Sequence, residues 1–303
     1  MILRHLEYLD ALARERHFAR AAAACGVSQP TLSAAIRELE AELDVLIVER
    51  GQRFRALTPE GERAVAWARR ILADREAMLQ EVALSKGSLA GRLTLGVIPT
   101  ALASLGLLTR SLRARHPQVA LTVLSLSSID IQRGLDAFDL EAGVTYLDNE
   151  PLLRVRSLPL YRERYFLVTG EAAHFPRRRS VTWAEAASLP LCLLTPDMQN
   201  RRIVDAAFRA AGAAPSPAVE TNSILALYTH VRAGLATVLT QASLHLLGQP
   251  AWLRALPLNK PAPRRMIGLV YPEQDPLQPA ARALVAIAAT LDLEAELERA
   301  LPR

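Results

Sequence analysis

Two sets of polar residues in this 303-residue chain stand at spacings suited to recognition chemistry. The first is Ser28, Gln29, Pro30, Thr31 and Ser33. Ser28 reads as the N-cap of a helix, with Pro30 in its first turn, where a missing N–H costs nothing. Gln29, Thr31 and Ser33 then occupy the polar side of that helix's start, opposite an apolar face of Leu32, Ile36, Leu39 and Leu43. A glutamine can bond adenine through two hydrogen bonds, and a serine or threonine hydroxyl can bond base edges or phosphate. The plain alternative is a set of capping residues on a surface helix. The second set is Thr100, Ser127 with Ser128, and Thr195 with Met198 and Gln199, each following a run that reads as a strand. Helix N-termini beyond the carboxyl ends of strands point unpaired N–H groups at a ligand, so these residues can hold a small anion or polar molecule. Each is also an ordinary N-cap, and only their convergence on one sheet edge favours a pocket.

Catalytic chemistry finds less support. There is no GxGxxG after a strand, no GxxxxGK[ST], no GxSxG and no HExxH, and the six histidines pair with no motif. The two cysteines, Cys25 and Cys192, have no partner at metal-ligand spacing and read as small buried apolar residues, so no metal or cofactor is expected. No apolar run is long enough to span a bilayer and the charged N-terminus is unlike a signal peptide, so a cytoplasmic protein without membrane contact is expected. The net charge of +5 is not evidence for nucleic acid, because residues 1–90 hold 13 basic and 13 acidic side chains. What remains is local: Arg50, Arg53 and Arg55 in RGQRFR, a solvated turn or a phosphate contact.

These groups need elements to hold them. Apolar residues from Leu3 to Leu43 recur at helical spacing, broken by two short turns, which predicts three helices with Leu6, Leu9, Leu12 and Ala13 on the buried side of the first. The run Ala21 to Ala24 lets the second helix approach its neighbours, and Gly26 supplies the left-handed turn before Ser28. This is a helix-turn-helix pattern, whose second helix places its N-terminal residues in the major groove. Residues 60–86 lack proline and have one glycine, predicting a long helix; Val65, Leu72 and Leu79 are seven apart, with Ala68, Arg75 and Val82 between them, as in a two-helix seam. The alternative is packing on the helix's own domain. Beyond the small, polar stretch SKGSLAG at 85–91 the pattern changes to alternating strands and helices, implying a doubly wound α/β sheet. In this region Arg201 and Arg202 are expected to face solvent, Asn222 and Ser223 to cap a helix at 224–233, His230 to be structural and Asp139 architectural.

The run AAAACGVSQPTLSAAIRELEAELDVLIVERGQRFRALTPEGE resembles the DNA-binding signature of LysR-type transcriptional regulators. The match rests on the alanine-rich helix, Ser28-Gln29-Pro30 with Ser33, Ile36, Leu39-Glu40 and Leu43, then Arg50, an arginine-bearing wing, and Leu57-Thr58 ahead of Gly61. Ala34, Asp44 and Ile47-Val48 depart from it, and Ala34 removes a basic residue the family often carries. The resemblance implies a winged helix-turn-helix at 1–58, a dimerising helix at 59–86, a hinge at 87–91 and a two-lobed, periplasmic-binding-protein-like effector domain at 92–303. Lobe I is expected at 92–162 and 266–303, and lobe II at 163–265. It further implies that Ser28 to Thr31, Ser33, Arg37, Arg50, Arg53 and Arg55 meet double-stranded DNA at a pseudo-palindromic operator, and that the chain is a dimer through the long helix and a tetramer beyond it. The effector is expected between the lobes as a small polar metabolite, a carboxylate or similar anion, and RNA polymerase is a further candidate partner. The competing classes are an enzyme, and a DNA-binding architectural protein with a sealed apolar cleft.

Overall fold

The computed structural model describes residues 2–49, 54–170, 175, 178–248 and 250–299. The chain forms two compact units, Met1–Gly87 and Ser88–Arg303. In the first, α1 (Leu3–Glu15), α2 (Phe18–Ala24) and α3 (Gln29–Leu43) pack around Leu6, Leu9, Leu12, Leu32, Ile36 and Leu39. Ala21 and Ala22 are fully covered because their methyl groups let α2 lie close to its neighbours. Gly26 takes the left-handed backbone, φ +67°, that turns the chain into α3. There Ser28 caps as expected, its hydroxyl accepting the Thr31 N–H at 3.3 Å.

Leu43 departs from its expected place in the core and is exposed. The helix stops at Asp44, whose left-handed conformation turns the chain so that Val45 and Ile47 close the core instead. Ile47 and Val48 are buried, and Val48 pairs antiparallel with Leu57. The Glu40 carboxylate accepts the N–H groups of both Ile47 (2.8 Å) and Val48 (3.2 Å), fixing this strand to α3.

Thr58 then caps α4 (Pro59–Ser85), accepting the Gly61 N–H at 2.9 Å. The expected seam along α4 divides in two. Val65 and Ala68 are buried in the head's own core and Leu72 packs at its edge, whereas Leu79 is exposed. Val65 is therefore a core residue; the first turns of α4 lie against α1, and only beyond them does the helix leave Met78, Leu79 and Val82 exposed.

The second unit begins with β1 (Gly91–Val97), α5 (Leu102–Arg115), β2 (Val119–Ser125), α6 (Ser128–Asp136), β3 (Ala142–Tyr146) and β4 (Val155–Glu163). It continues with β5 (Tyr165–Thr169), β6 (Val181–Thr182), α7 (Trp183–Ala186), β7 (Cys192–Leu194), α8 (Gln199–Ala210), β8 (Val219–Thr221) and α9 (Ile224–Arg232). The last elements are β9 (Thr237–Thr240), α10 (Gln241–Leu247), β10 (Arg254–Asn259), β11 (Arg265–Pro272), α11 (Pro279–Ala288) and α12 (Leu293–Arg299). One sheet has the order β2-β1-β3-β11-β4, parallel through β3 and antiparallel at β11. The other has the order β6-β10-β5-β9, with the parallel pair β7-β8 joined to it by a bridge between Leu191 and Ala236.

The chain thus crosses between lobes twice, at Arg164 and again between β10 and β11. Gln241 clamps the first crossing: its amide donates to the Arg162 carbonyl at 2.5 Å and its carbonyl accepts the Arg164 N–H at 2.6 Å. Being almost wholly buried, it holds the peptide where the strand must change sheets.

A Cβ on Gly61 would overlap the Ile47 carbonyl oxygen, a backbone atom that cannot swing aside. Gly61→Ala is therefore expected to destabilise the head by roughly 1–3 kcal/mol through overpacking, read as a lower denaturation midpoint of the first transition.

Candidate nucleic-acid interface and effector site

Gln29, Ser33 and Arg37 lie one turn apart along α3, on the side away from Leu32, Ile36 and Leu39. Ser28, Gln29, Pro30, Thr31 and Arg37 are exposed and Ser33 is half-covered. The hydroxyls of Ser28 and Thr31 bond each other at 2.8 Å, and Arg37 donates from Nε to the Ser33 carbonyl at 3.2 Å, which lays its guanidinium along the helix. Arg55 is exposed next to Phe54, which anchors the wing by an edge contact with Phe18 at 6.3 Å. Arg50 and Arg53 lie outside the described residues.

In the second unit, the ends of β1, β2, β3 and β7 and the start of α8 surround one cavity. Thr100, Ser127, Ser128, Met198 and Gln199 all line it, together with Tyr146 and Asn200. Ser128 donates to the Gln199 carbonyl and accepts from Thr145 at 3.0 Å. Gln199 in turn donates to the Asn149 carbonyl, and Asn200 donates to the Tyr146 hydroxyl at 2.9 Å. The bonds made by Gln199 and Asn200 join the first sheet's edge to the start of α8. They leave a volume of about 10 Å³, room for about one water. The cleft is closed by polar groups that bond one another, with Ile98, Pro99, Leu194 and Met198 supplying an apolar part of its wall.

Thr195 does not line this cavity. Its N–H is committed to the Thr221 carbonyl at 3.0 Å, because β7 pairs with β8, and its hydroxyl oxygen is buried without a partner. Ser127 lines the cavity, but its hydroxyl serves as the α6 cap, accepting the Asp130 N–H and donating to the Asp130 carboxylate at 2.6 Å.

Arg201 is buried rather than solvent-facing. Its guanidinium bonds the Leu194 carbonyl at 2.5 Å, Glu220 at 2.6 Å and Asp205 at 2.8 Å, so it ties α8 to β7 and β8. Arg202 pairs with Glu150 across the lobes and holds that carboxyl below its usual pKa. Neither arginine lines the cavity, nor does any other cationic side chain among the described residues.

Beneath the cavity lies Glu163, the last residue of β4, which carries no signal in YRERYF. It is completely buried and accepts from the Tyr146 hydroxyl at 2.6 Å and the Tyr165 hydroxyl at 2.8 Å, while Oε1 has no partner. Burial raises its pKa from 4.5 to about 7 against the lowering effect of those hydroxyls and of Thr100. Thr100 also bonds the Tyr146 hydroxyl, at 3.4 Å. Tyr146, Asn200 and Glu163 escape a reading of the sequence because they are distant along the chain; only Asn200, beside Gln199, adjoins a recognised position. His230 is structural as expected, its Nδ1 bonding the Ala226 carbonyl at 2.8 Å.

A winged helix-turn-helix followed by a two-lobed α/β unit defines a DNA-binding transcriptional regulator. Residues 3–62 match the model of the bacterial regulatory helix-turn-helix proteins of the lysR family, and residues 86–291 match the LysR substrate binding domain. The chain belongs to the LysR family of transcriptional regulators. It is 34% identical over 288 residues to the DNA-binding transcriptional dual regulator OxyR of Escherichia coli, covering 92% of each chain. A full-length OxyR point variant from Pseudomonas aeruginosa superposes with a TM-score of 0.75 at 28% identity, covering 97% of this chain and 98% of that one. The fold is shared with full-length CbnR in complex with its target DNA, at a TM-score of 0.67 and 20% identity over 95% of this chain and 99% of that one. These relatives are transcription regulators rather than enzymes. No helix among the described residues is long and apolar enough to cross a membrane.

Because Glu163 binds its proton more tightly folded than unfolded, its contribution is most favourable below pH 4.5 and is lost as pH rises through about 7. The difference is on the order of 3 kcal/mol. Glu163→Gln, which keeps the shape and removes the charge, is expected to flatten the fall in stability between about pH 5 and 8, measured by denaturant unfolding of the full chain at each pH.

Proposed function

We propose that this chain is a LysR-type regulator whose operator is read by Gln29 and Ser33, with Thr31 and Arg37 beside them and Ser28 and Pro30 setting the helix start. Arg50, Arg53 and Arg55 supply phosphate attraction. Dimerisation runs through the exposed part of α4, where Leu79 stands with Met78 and Val82, and Leu72 at the margin; Val65 supports it only by holding α4 to the head. Two recognition helices on a twofold axis read a pseudo-palindromic site, and association to a tetramer and contact with RNA polymerase, in the cytoplasm, complete the reading. Gln29→Ala is expected to weaken specific operator binding by about 1–3 kcal/mol and random-sequence binding little, by gel shift at fixed salt. Equal losses on both DNAs would remove its base-reading role.

The effector is a small polar molecule bound by Thr100, Ser128 and Gln199. The observation that carries this is the set of polar bonds joining the two lobes around one closed cavity: Ser128 to Gln199, Gln199 to Asn149 and Asn200 to Tyr146. A ligand enters by exchanging those bonds for its own. Its charge is better neutral than negative, since both arginines are committed elsewhere and a partly ionised Glu163 lies below. A carboxylate or similar anion, which helix N-termini alone would favour, is the alternative charge state. Thr100→Val is expected to abolish the effector response in a reporter assay while leaving basal operator binding intact; a normal response overturns the assignment.

Several relatives are named hydrogen peroxide-inducible genes activators. A thiol that answers peroxide must be accessible and ionised. Cys192 is fully buried among Phe166, Val168 and Leu194, and burial raises its pKa; Cys25, half-covered rather than buried, is pushed the same way by burial and then by Glu7 and Asp10. Operator binding is therefore expected to be unchanged by peroxide and by Cys25→Ala with Cys192→Ala. A peroxide response that is restored by dithiothreitol and absent from the double variant would establish thiol sensing instead.

A further inference from the structure

Glu163 is completely buried, and its two oxygens fare differently: Oε2 accepts two tyrosine hydroxyls and Oε1 has no partner. A buried carboxyl oxygen left without a donor costs free energy that a single water would relieve. Tyr146 stands between this group and the polar pocket. Its hydroxyl donates to Glu163, its oxygen accepts from Asn200 at the start of α8, and its side chain lines the cavity beside Thr100. The bond that shuts the lobe junction and a bond that covers the carboxyl thus meet on one hydroxyl.

We propose that the lobes part at this junction with loss of one proton from Glu163, so that the proton is itself a ligand of the closed arrangement; this rests on the breakable junction proposed above and not on the effector's identity. Parting Asn200 from Tyr146 opens the cavity to water, which reaches Oε1. The carboxyl O–H bond then breaks and its proton passes to that water and on to the solvent, with no other reactant. In the closed arrangement burial outweighs the hydroxyls of Tyr146, Tyr165 and Thr100 and holds the pKa at about 7. Hydration removes the largest of these causes and lets the carboxyl return towards its ordinary 4.5. The proton is therefore held more tightly closed than open. Its contribution to the closed arrangement is complete below the open value and is lost as pH rises through about 7.

The other groups around Glu163 do not supply this response. Asp148, just beyond β3, acts on the same carboxyl and raises its pKa further. Tyr146, Tyr161 and Tyr165 are pushed above their usual value of 10 by burial and stay protonated. Arg265, paired with Glu163 in the β4–β11 register, leaves Nε buried without a partner rather than reaching the carboxyl. On α12, Glu294 accepts the Arg162 N–H and Glu298 pairs with Arg164, while Arg282 of α11 is exposed. By reciprocity, an effector that parts the lobes expels the proton, and a rise in pH eases the parting.

The test uses the full chain and Glu163→Gln, which keeps a neutral group in place at every pH. Infrared spectroscopy follows the carbonyl stretch of a protonated, buried carboxyl, and mass spectrometry follows deuterium uptake by the backbone from Gln199 to Val204 in the first turns of α8. The histidines titrate alike in both chains and cancel in the ratio of uptake rates. In the wild-type chain the band is expected to fade with a midpoint near 7, and in Glu163→Gln to be absent. Wild-type uptake relative to the variant is expected to rise from about equal at about pH 6 to about tenfold at about pH 8. The band is read on the wild-type chain whether or not the variant folds, and its absence at about pH 6 overturns the proposal. Uptake that is appreciable but in a constant ratio at every pH overturns the proposal and leaves the opening itself standing. Uptake that is slow in both chains at every pH overturns the opening and the proposal together.

Discussion

The second unit is organised around a carboxyl group that has no access to water. Glu163 ends β4, one residue before the chain leaves the first sheet, and the hydroxyls that reach it come from the end of β3 and the start of β5. Burying a carboxyl with only part of its hydrogen-bonding capacity met is costly, and the cost grows unless Tyr146 and Tyr165 keep their positions. Tyr146 is also the acceptor for Asn200 at the start of α8. One buried group therefore ties together the two sheets, the crossing between them and the first turn of the helix that closes the polar pocket. Gln241 holds the same crossing from the other side through the backbone at Arg162 and Arg164. The crossing is thus held both by the hydroxyls on Glu163 and by the backbone bonds of Gln241.

That arrangement also decides what the pocket prefers. Helix N-termini favour negative charge in general, but the favour is about 1 kcal/mol or less at an exposed site and falls off within a turn. A neighbouring ionised carboxylate opposes it at similar range, and here no guanidinium lines the pocket to compensate. Arg201 satisfies a strand end and two carboxylates, and its loss would take a donor from the Leu194 carbonyl. The electrostatics belong to the fold, and on the proposed site recognition would fall to hydroxyls and amides.

Legibility from sequence follows the range of the physical signal. The head is readable because its determinants are local: a cap at Ser28, a glycine at Gly26, a proline in the first turn, and apolar residues three and four apart. The boundary of α4 is readable from Thr58 and Pro59 for the same reason. Helical periodicity does not say what a face packs against, so Val65 looks like a seam residue although it completes the head's core. Leu43 misleads similarly, since the left-handed residue that ends the helix is not encoded in the apolar spacing. Strand ends locate Thr100, Ser128 and Gln199, but Thr195 is lost to the pairing of β7 with β8, a register that a single strand does not reveal. Glu163 is beyond reach: its partners Tyr146 and Tyr165 lie in different strands, and a glutamate between two arginines reads as surface.

If the closed polar pocket is the effector site proposed above, its bonds constrain how an effector acts. In the closed arrangement the polar groups that bridge the lobe junction already have partners, so replacing Ser128–Gln199 and Gln199–Asn149 with bonds to a ligand exchanges like for like, at a net gain of about 1 kcal/mol per bond at most. A molecule too large for one water's space must part the lobes first, and it shifts the equilibrium only by the difference between its bonds in the two arrangements. Moving a population from one state to the other then takes several such bonds together. On the proposed site, hydroxyls from one lobe and an amide from the other would provide them, and Gln199, which bonds Ser128 and the Asn149 carbonyl across the junction, is the group an effector would have to displace.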